Sequence, residues 1–424
     1  MCWSKAIYRF IRMATANKAP PWQQIQINKN KKDVDISYFH LGEVGSWTYS
    51  PKEDEKELYE LRTKIEEYER AEKGAAIWEY YKKIINPYEL IYTQPKYKEL
   101  PPSVCILNPL SRSYFKIIEI LSITGFFEMH GKERLRSAHV CEGPGGFIEG
   151  FYDECEKRKL TPLSANAITL RPHQPNVPGW KRASTFLQKY KSVHIHYGKD
   201  NTGNILNYEN QNSFIESCTN KVLLFTGDGG FDFSTDYSLQ EASIFPLLVA
   251  SVRIGFECMR TGAYFILKFF DIHNKPTIDL LYFLSQHFKA WTLYKPATSR
   301  PCNPEHYFIG IDYKGCNVLP LLQNWSSLIC QGKTICSLGT GKKSSDFTQI
   351  IENNREKAVA MQINYLKQVF GLIEKADTEE EPNRLRLYQV MSYDWCRTFS
   401  VPVHPSRAHA IEVLRSGLLA SGQL

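Results

Sequence analysis

The chain has no C-x-x-C pair, no acidic residue among its first 32, and no apolar run near the roughly 18 residues that a membrane-spanning helix needs. Each absence excludes something. Eleven cysteines, an odd number without such a pair, argue against a zinc site and for reduced thiols in a cytosolic compartment. The opening MCWSKAIYRFIRMATANKAPP is interrupted by Lys5, Arg9 and Arg12, so no secretory signal core is expected there. No internal repeat is visible. The stretch Gly339-Thr340-Gly341-Lys342-Lys343 lacks the Ser/Thr that follows Gly-Lys in a phosphate-binding loop, and it reads as a flexible loop. What remains is 424 residues with 43% hydrophobic and 13% aromatic content, enough for one large α/β domain with smaller flanking pieces. Net charge is +7, and residues 1–32 hold seven of the basic side chains. That arm suits a polyanion such as RNA, although a solvated or docked basic tail fits the same pattern.

The most informative stretch is CEGPGGF, residues 141–147, between the short run Ala138-His139-Val140 and the helix-like FIEGFYDECEKRK. It reads strand, glycine turn, helix. Gly143, Gly145 and Gly146 let backbone come close to a ligand, and Glu142 suits an amine-bearing or cationic one rather than a pyrophosphate. The structural alternative is a plain Gly-Pro turn.

Upstream, Leu58, Leu61, Ile65 and Tyr68, then Trp78, Tyr81 and Ile85, predict helices between residues 53 and 86. A proline-punctuated entry (Pro87 to Pro109) leads to a helix from Ser111. Downstream, VLLFTGDGGF (222–231) and GAYFILKFF (262–270) predict buried strands, with helices at 238–260 and through Ile278, Leu281 and Leu284. Pro246 predicts a kink or boundary. KAWTLYKP and EHYFIGIDY predict a closing hairpin. The alternation predicts an α/β fold: a mostly parallel doubly wound sheet with an antiparallel last strand, whose ligands sit at the carboxyl ends of the strands. Glu142, Asp228 and Lys268 all fall there. Val359, Ile363, Leu366, Phe370 and Ile373 predict one amphipathic helix before the acidic DTEEEP, and Ile411, Leu414 and Leu418 a final one. The expected division is 1–107, a basic arm and helical region; 108–320, the α/β domain; and 321–424, a helical C-terminal region.

Lys268 lies in an otherwise apolar strand, so it either snorkels out or is functional. Together Lys116, Asp228, Lys268 and Glu305, beside CEGPGGF, resemble the Lys-Asp-Lys-Glu tetrad of FtsJ-type ribose 2′-O-methyltransferases, over about residues 108–315. YGKDNTGNI (197–205), TGDGGFD (226–232), FILKFF (265–270), YKPATS (294–299) and EHYFIGIDYKG (305–315) look closest to the Adrift-type branch, which includes enzymes acting on the second transcribed nucleotide of capped mRNA. The compact format resembles the version of a large cytoplasmic DNA virus of the asfarvirus kind.

The resemblance implies a Rossmann-like methyltransferase fold, S-adenosyl-L-methionine as cofactor and RNA, in particular the capped mRNA 5′ end, as partner. It implies catalytic roles for Lys116, Asp228, Lys268 and Glu305. Cofactor contacts would come from Glu142, Gly143, Pro144, Gly145, Gly146, Phe147, Leu170, Asp200 and Asp228, and no metal is implied. Lys268 would be the general base or steer the hydroxyl, and base duty requires its pKa to fall toward neutrality. The stretch AITLRPHQ (167–174) lacks the acid that many methyltransferases place after the second strand, so backbone near Thr169 and Leu170 would replace it. A cytoplasmic setting, a viral factory or virion, and association with viral capping or transcription machinery follow from the same likeness. Trp3, Trp22, Trp47, Trp78 and Trp180 are candidate cap-stacking rings, each more readily read as a packing aromatic. Two rival functions stay open: a non-catalytic RNA-binding or virion scaffold protein, and a methyltransferase of uncapped RNA.

Overall fold

The structure, a computed structural model, describes residues 20–30, 37–47, 51–71, 74–93, 100–172, 179–230, 240–315, 317–375 and 381–421. Two short strands come first, β1 (Asn28–Lys29) and β2 (Phe39–Val44), then helices α1 (Glu53–Arg70) and α2 (Gly74–Ile84). Leu58 and Ile65 of α1 and Trp78 of α2 are buried, as their helical spacing predicts. The central region runs α3 (Ser113–Ile123), α4 (Phe126–His130), β3 (Arg136–Val140), α5 (Gly146–Lys157), β4 (Ser164–Ile168), α6 (Ser184–Lys189), β5 (Val193–His196) and α7 (Tyr208–Ser217). It continues through β6 (Val222–Gly227), α8 (Gln240–Cys258), β7 (Met259–Phe269), α9 (Lys275–Gln286), β8 (Phe288–Tyr294) and β9 (His306–Tyr313). After it come α10 (Leu319–Cys330), β10 (Ile335–Gly339), α11 (Ser345–Lys375), α12 (Glu381–Thr398) and α13 (Pro405–Ala420).

One eight-stranded sheet has the order β1-β8-β9-β7-β6-β3-β4-β5. The five strands β3 to β7 are parallel to their neighbours, and β9 enters antiparallel between β7 and β8. The expected parallel sheet with an antiparallel last strand is therefore present. Every residue of β6 is buried because helices cover both faces. Alternation sorts the faces. Phe225, Phe265, Leu267 and Phe308 pack toward α8 and α9, while Leu224, Tyr264, Ile266 and Tyr307 pack toward α3 and α5.

The flanks are less separate than the sequence suggests. β1, inside the expected basic arm, adds an edge strand against β8, with Asn28 opposite Trp291. β2 pairs with β10, joining the N- and C-terminal regions in a second sheet. Residues 1–19, 31 and 32 of the arm, Trp3 among them, and part of the acidic DTEEEP lie outside the described residues. Pro246 sits inside α8 without ending it. In the glycine-lysine loop, Lys343 Nζ pairs with the buried Asp279 Oδ1 at 2.7 Å.

A buried ionic cluster fastens α1 and α11 to the end of β7. Arg62 grips Asp271 through both terminal nitrogens (2.7 and 3.0 Å) and donates to Gln362 at 2.7 Å. His273 Nδ1 lies 2.9 Å from Glu55, which also pairs with Arg355. Burial pulls the His273 imidazole down, but Asp271 and Glu55 outweigh it and raise its pKa to about 10. A histidine raised in the fold stabilises fully below its unfolded value near 6.5 and loses that contribution as pH rises through about 10. The melting-temperature gap between wild type and His273→Gln should therefore shrink from pH 6 to pH 10.5, by an equivalent of about 4–5 kcal/mol. A gap that holds constant would mean the imidazole is neutral in the fold.

Candidate active site

The glycine turn follows β3. Cys141 takes φ 58° while its N–H donates to Ile168 O, and Gly145 takes φ 105°, a conformation that favours glycine. A Cβ on Gly145 would stand 2.8 Å from the Trp180 ring. Glu142 is buried beneath the turn. Ser137 hydroxyl, His139 imidazole, Thr226 hydroxyl and Glu142 Oε1 form a hydrogen-bonded chain, with His139 Nδ1 2.7 Å from Thr226 Oγ1 and Nε2 2.8 Å from Ser137 Oγ. Donation by Ser137 and Thr226 makes the Nδ1–H tautomer the one that satisfies every member. Glu142 Oε2 is buried with no hydrogen-bond partner, although His139 Nδ1 stands 3.2 Å away. Burial pushes this carboxyl above its ordinary range.

The loops after β4 and β5 meet beside the turn. Arg171 N donates to Thr202 O at 2.7 Å, and Gly203 (φ 73°) lies so close to Thr169 O that a Cβ would stand 1.8 Å from it. Leu170 is 41% exposed on this rim. Asp200 is exposed, and its carboxylate accepts from Thr202, Asn207 and Asn210, so it organises its own loop. Hydrogen bonds from Thr202 hold its carboxyl down at about 2. Gly143, Pro144 and Gly146 form the turn and the start of α5. Phe147, expected at the cofactor, is 1% exposed and packs its ring 5.9 Å from that of Tyr307. Its position in α5 turns it toward the sheet.

All four members of the expected tetrad come together at the carboxyl ends of β6 and β7. Lys116 of α3 contacts Glu305 Oε1 at 2.6 Å, and Lys268 of β7 contacts Asp228 Oδ1 at 3.1 Å and Asp228 O at 2.8 Å. Tyr307, missed by the sequence reading, joins the two pairs. Its hydroxyl donates to Asp228 Oδ1 at 2.7 Å and accepts from Lys116 Nζ at 3.4 Å. Tyr307 stands opposite Lys268 in the β7–β9 register and two residues past Glu305. That two-residue spacing was the available signal.

The sequence left the charge balance at Lys268 open: base duty needs its pKa to fall toward neutrality, and burial does act that way. Asp228 and Glu305 outweigh burial, however, and raise the ammonium above its usual value. Burial likewise favours a neutral Glu305, but Lys116, Lys268 and Lys295 hold its carboxyl well below the usual range. The lysine pushed down instead is Lys295, to about 7, by burial against the pull of Glu305. Its Nζ donates to Glu305 O, Asn303 O and Asn303 Oδ1, each at 2.8 Å, clamping the loop that delivers Glu305. The sequence offered it only as part of YKPATS.

The tryptophans are engaged in packing. Trp22 packs edge-on to Tyr88 and Phe399, Trp47 edge-on to Phe245, Trp78 stacks on Phe370, and Trp180 covers Gly145. Among the described residues, no group of three or more His, Cys, Asp or Glu could hold a metal, and no helix is long and apolar enough to cross a membrane.

Residues 109–313 match the family described as FtsJ-like methyltransferase. The chain is 32% identical over 235 residues to cap-specific mRNA (nucleoside-2′-O-)-methyltransferase 1 of Dictyostelium discoideum, covering 51% of this chain and 31% of that protein. The Homo sapiens protein of the same name is 29% identical, over 60% of this chain and 32% of its own length. Cap-specific mRNA (nucleoside-2′-O-)-methyltransferase 2 of Danio rerio is 28% identical, over 65% and 38%. The chain thus spans about a third of the length of these relatives. The tetrad is assembled on the strand ends that this match encloses, so residues 109–313 are similar to FtsJ-like methyltransferases in sequence and hold the four side chains expected from that likeness together.

Proposed function

We propose that this protein is an S-adenosylmethionine-dependent RNA ribose 2′-O-methyltransferase acting on cap-proximal nucleotides of mRNA. The observation that carries the reading is the pair of lysine–carboxylate contacts joined through Tyr307 beside the glycine turn. The buried, unpartnered Glu142 Oε2 suits the amino group of the cofactor. Backbone of residues 143–146, the Thr169–Leu170 edge and the Asp200 loop would hold the rest. When bound, S-adenosylmethionine supplies a methyl group on a sulfonium, already a good leaving group.

The chain's own residues must then position and activate a poor nucleophile. Lys268, as an ammonium, would donate to the ribose 2′-oxygen and stabilise the negative charge developing there, while the hydroxyl proton is released to solvent as the oxygen takes the methyl group. Asp228 and Glu305 fix the two lysines by hydrogen bonds and charge, and Tyr307 keeps the pairs in register. A cytoplasmic setting beside capping or transcription machinery, viral in the format noted above, belongs to the same proposal.

Labelled methyl transfer to matched capped and uncapped transcripts, with nuclease mapping of the modified nucleotide, tests the substrate. Label confined to a cap-proximal ribose of the capped transcript is expected; equal labelling of both would remove the cap from the assignment. The non-catalytic scaffold draws on one observation, that residues 169–172 offer no carboxylate after β4. Failure to bind S-adenosylmethionine at millimolar concentration in a calorimeter would favour it.

A further inference from the structure

Beyond the tetrad, away from the glycine turn, a cleft of about 390 Å³ opens between the end of β8, residues 21–28 and one face of α11. A second lobe of about 150 Å³ continues it toward Asn303 and His306. Its volume lies in the range of small-ligand sites, roughly 300–1,000 Å³. The α11 wall lies wholly outside residues 109–313 and includes one stripe, Asn353, Lys357 and Met361 standing four residues apart. Lys295 lines both lobes and also donates to Glu305 O, so the cleft begins one side chain from the tetrad.

The chemistry of the walls narrows the occupant. Among the described lining residues there is no carboxylate, and of the two lysines Lys295 is engaged by the Glu305 loop, so the charge that favours an anion is that of Lys357. Lys357 is exposed and has no ion-pair partner among the described residues. Asn353 accepts from Gln349 through Oδ1 at 2.8 Å, which leaves its amide N–H groups as the donors it can offer, and Gln26 adds a further carboxamide. Tyr88 and Tyr365 supply aromatic surface. Carboxamides to read a base edge, rings to lie against its face and a lysine for phosphate are the elements of single-stranded RNA recognition.

We propose that this cleft holds an RNA nucleotide flanking the ribose that is methylated, an assignment that rests on the RNA methyl-transfer reading above. The N- and C-terminal regions then complete the substrate site of the central domain.

The test uses the full chain, a fluorescein-labelled short capped transcript, and two variants, Met361→Trp to fill the cleft and Lys357→Ala to remove its exposed charge. Equilibrium anisotropy should show RNA binding weakened about tenfold by Met361→Trp. Lys357→Ala should lower the slope of log Kd against log salt by about one. In steady-state transfer, the Met361→Trp defect should fall on KM for RNA, with kcat and cofactor affinity within twofold of wild type. Lys357 is exposed, so its variant remains informative if Met361→Trp fails to fold. RNA affinity and salt slope unchanged in the folded variants would overturn the cleft assignment. A wild type that binds RNA but transfers no methyl group would instead overturn the enzymatic reading, and the binding measurements would still decide the cleft.

Discussion

Lys268→Ala is expected to lower the single-turnover rate of methyl transfer by about 10²–10³-fold, the usual range for losing one donor to a developing oxyanion. Cofactor affinity should stay within twofold, since Lys268 stands with Asp228 rather than against Glu142. The direction of its pKa shift adds a pH signature. With Asp228 and Glu305 holding the ammonium above its usual value, any route that needs the free amine should run faster as pH rises, with no plateau below that value. A route that needs only the cation should be flat over the same range. Lys268→Arg separates them, because guanidinium keeps the charge and does not give up its proton. Retention of a substantial rate would assign Lys268 to positioning and charge stabilisation. Tyr307→Phe removes the hydroxyl between the two pairs and should cost about tenfold, in line with one hydrogen bond to a charged group at roughly 1.5 kcal/mol. Undiminished turnover of Lys268→Ala would end the assignment of this tetrad.

The fold was legible where burial writes itself into a run of residues. VLLFTG could hardly be other than a strand covered on both faces, and the amphipathic spacing from Val359 to Ile373 announced α11. β1 has two residues and β2 carries no marked alternation, so neither leaves a periodic trace; both are defined by partners hundreds of residues away. The site divides the same way. Glu142 and Asp228 are marked by neighbouring glycines, and Lys268 by its apolar strand. Lys116 in mid-helix and Glu305 before a strand have no local mark, and only the family likeness selected them. Tyr307 was visible in principle, because residues two apart on a strand share a face. The charge state of Lys268 was not, since its sign depends on whether two carboxylates stand near enough to outweigh burial. The same holds for Lys295, where burial wins.

Glu119→Ala is expected to destabilise the protein by about 3–5 kcal/mol at pH 5, because three donors converge on one buried carboxyl and stranding each costs roughly 1–3 kcal/mol before water relieves part of it. Tyr294 hydroxyl and Ala297 N (2.8 Å) donate to Oε1, and Trp395 Nε1 donates to Oε2 at 2.7 Å. Glu119 therefore ties α3, which carries Lys116, to the end of β8 and to α12. Burial raises its carboxyl to about 7, even though the three donors pull the other way. A carboxyl raised in the fold contributes stability that is full below its unfolded value near 4.5 and is lost as pH rises through about 7. A shift of this size corresponds to roughly 3 kcal/mol. The gap in unfolding free energy between wild type and Glu119→Ala should accordingly narrow by that amount between pH 5 and pH 8 in urea titrations. Trp395→Phe, which removes one donor and leaves the carboxyl, should cost less and push the group's pKa higher still. A wild-type advantage that grows with pH would show instead that Glu119 is ionised in the fold, with its three donors outweighing its burial.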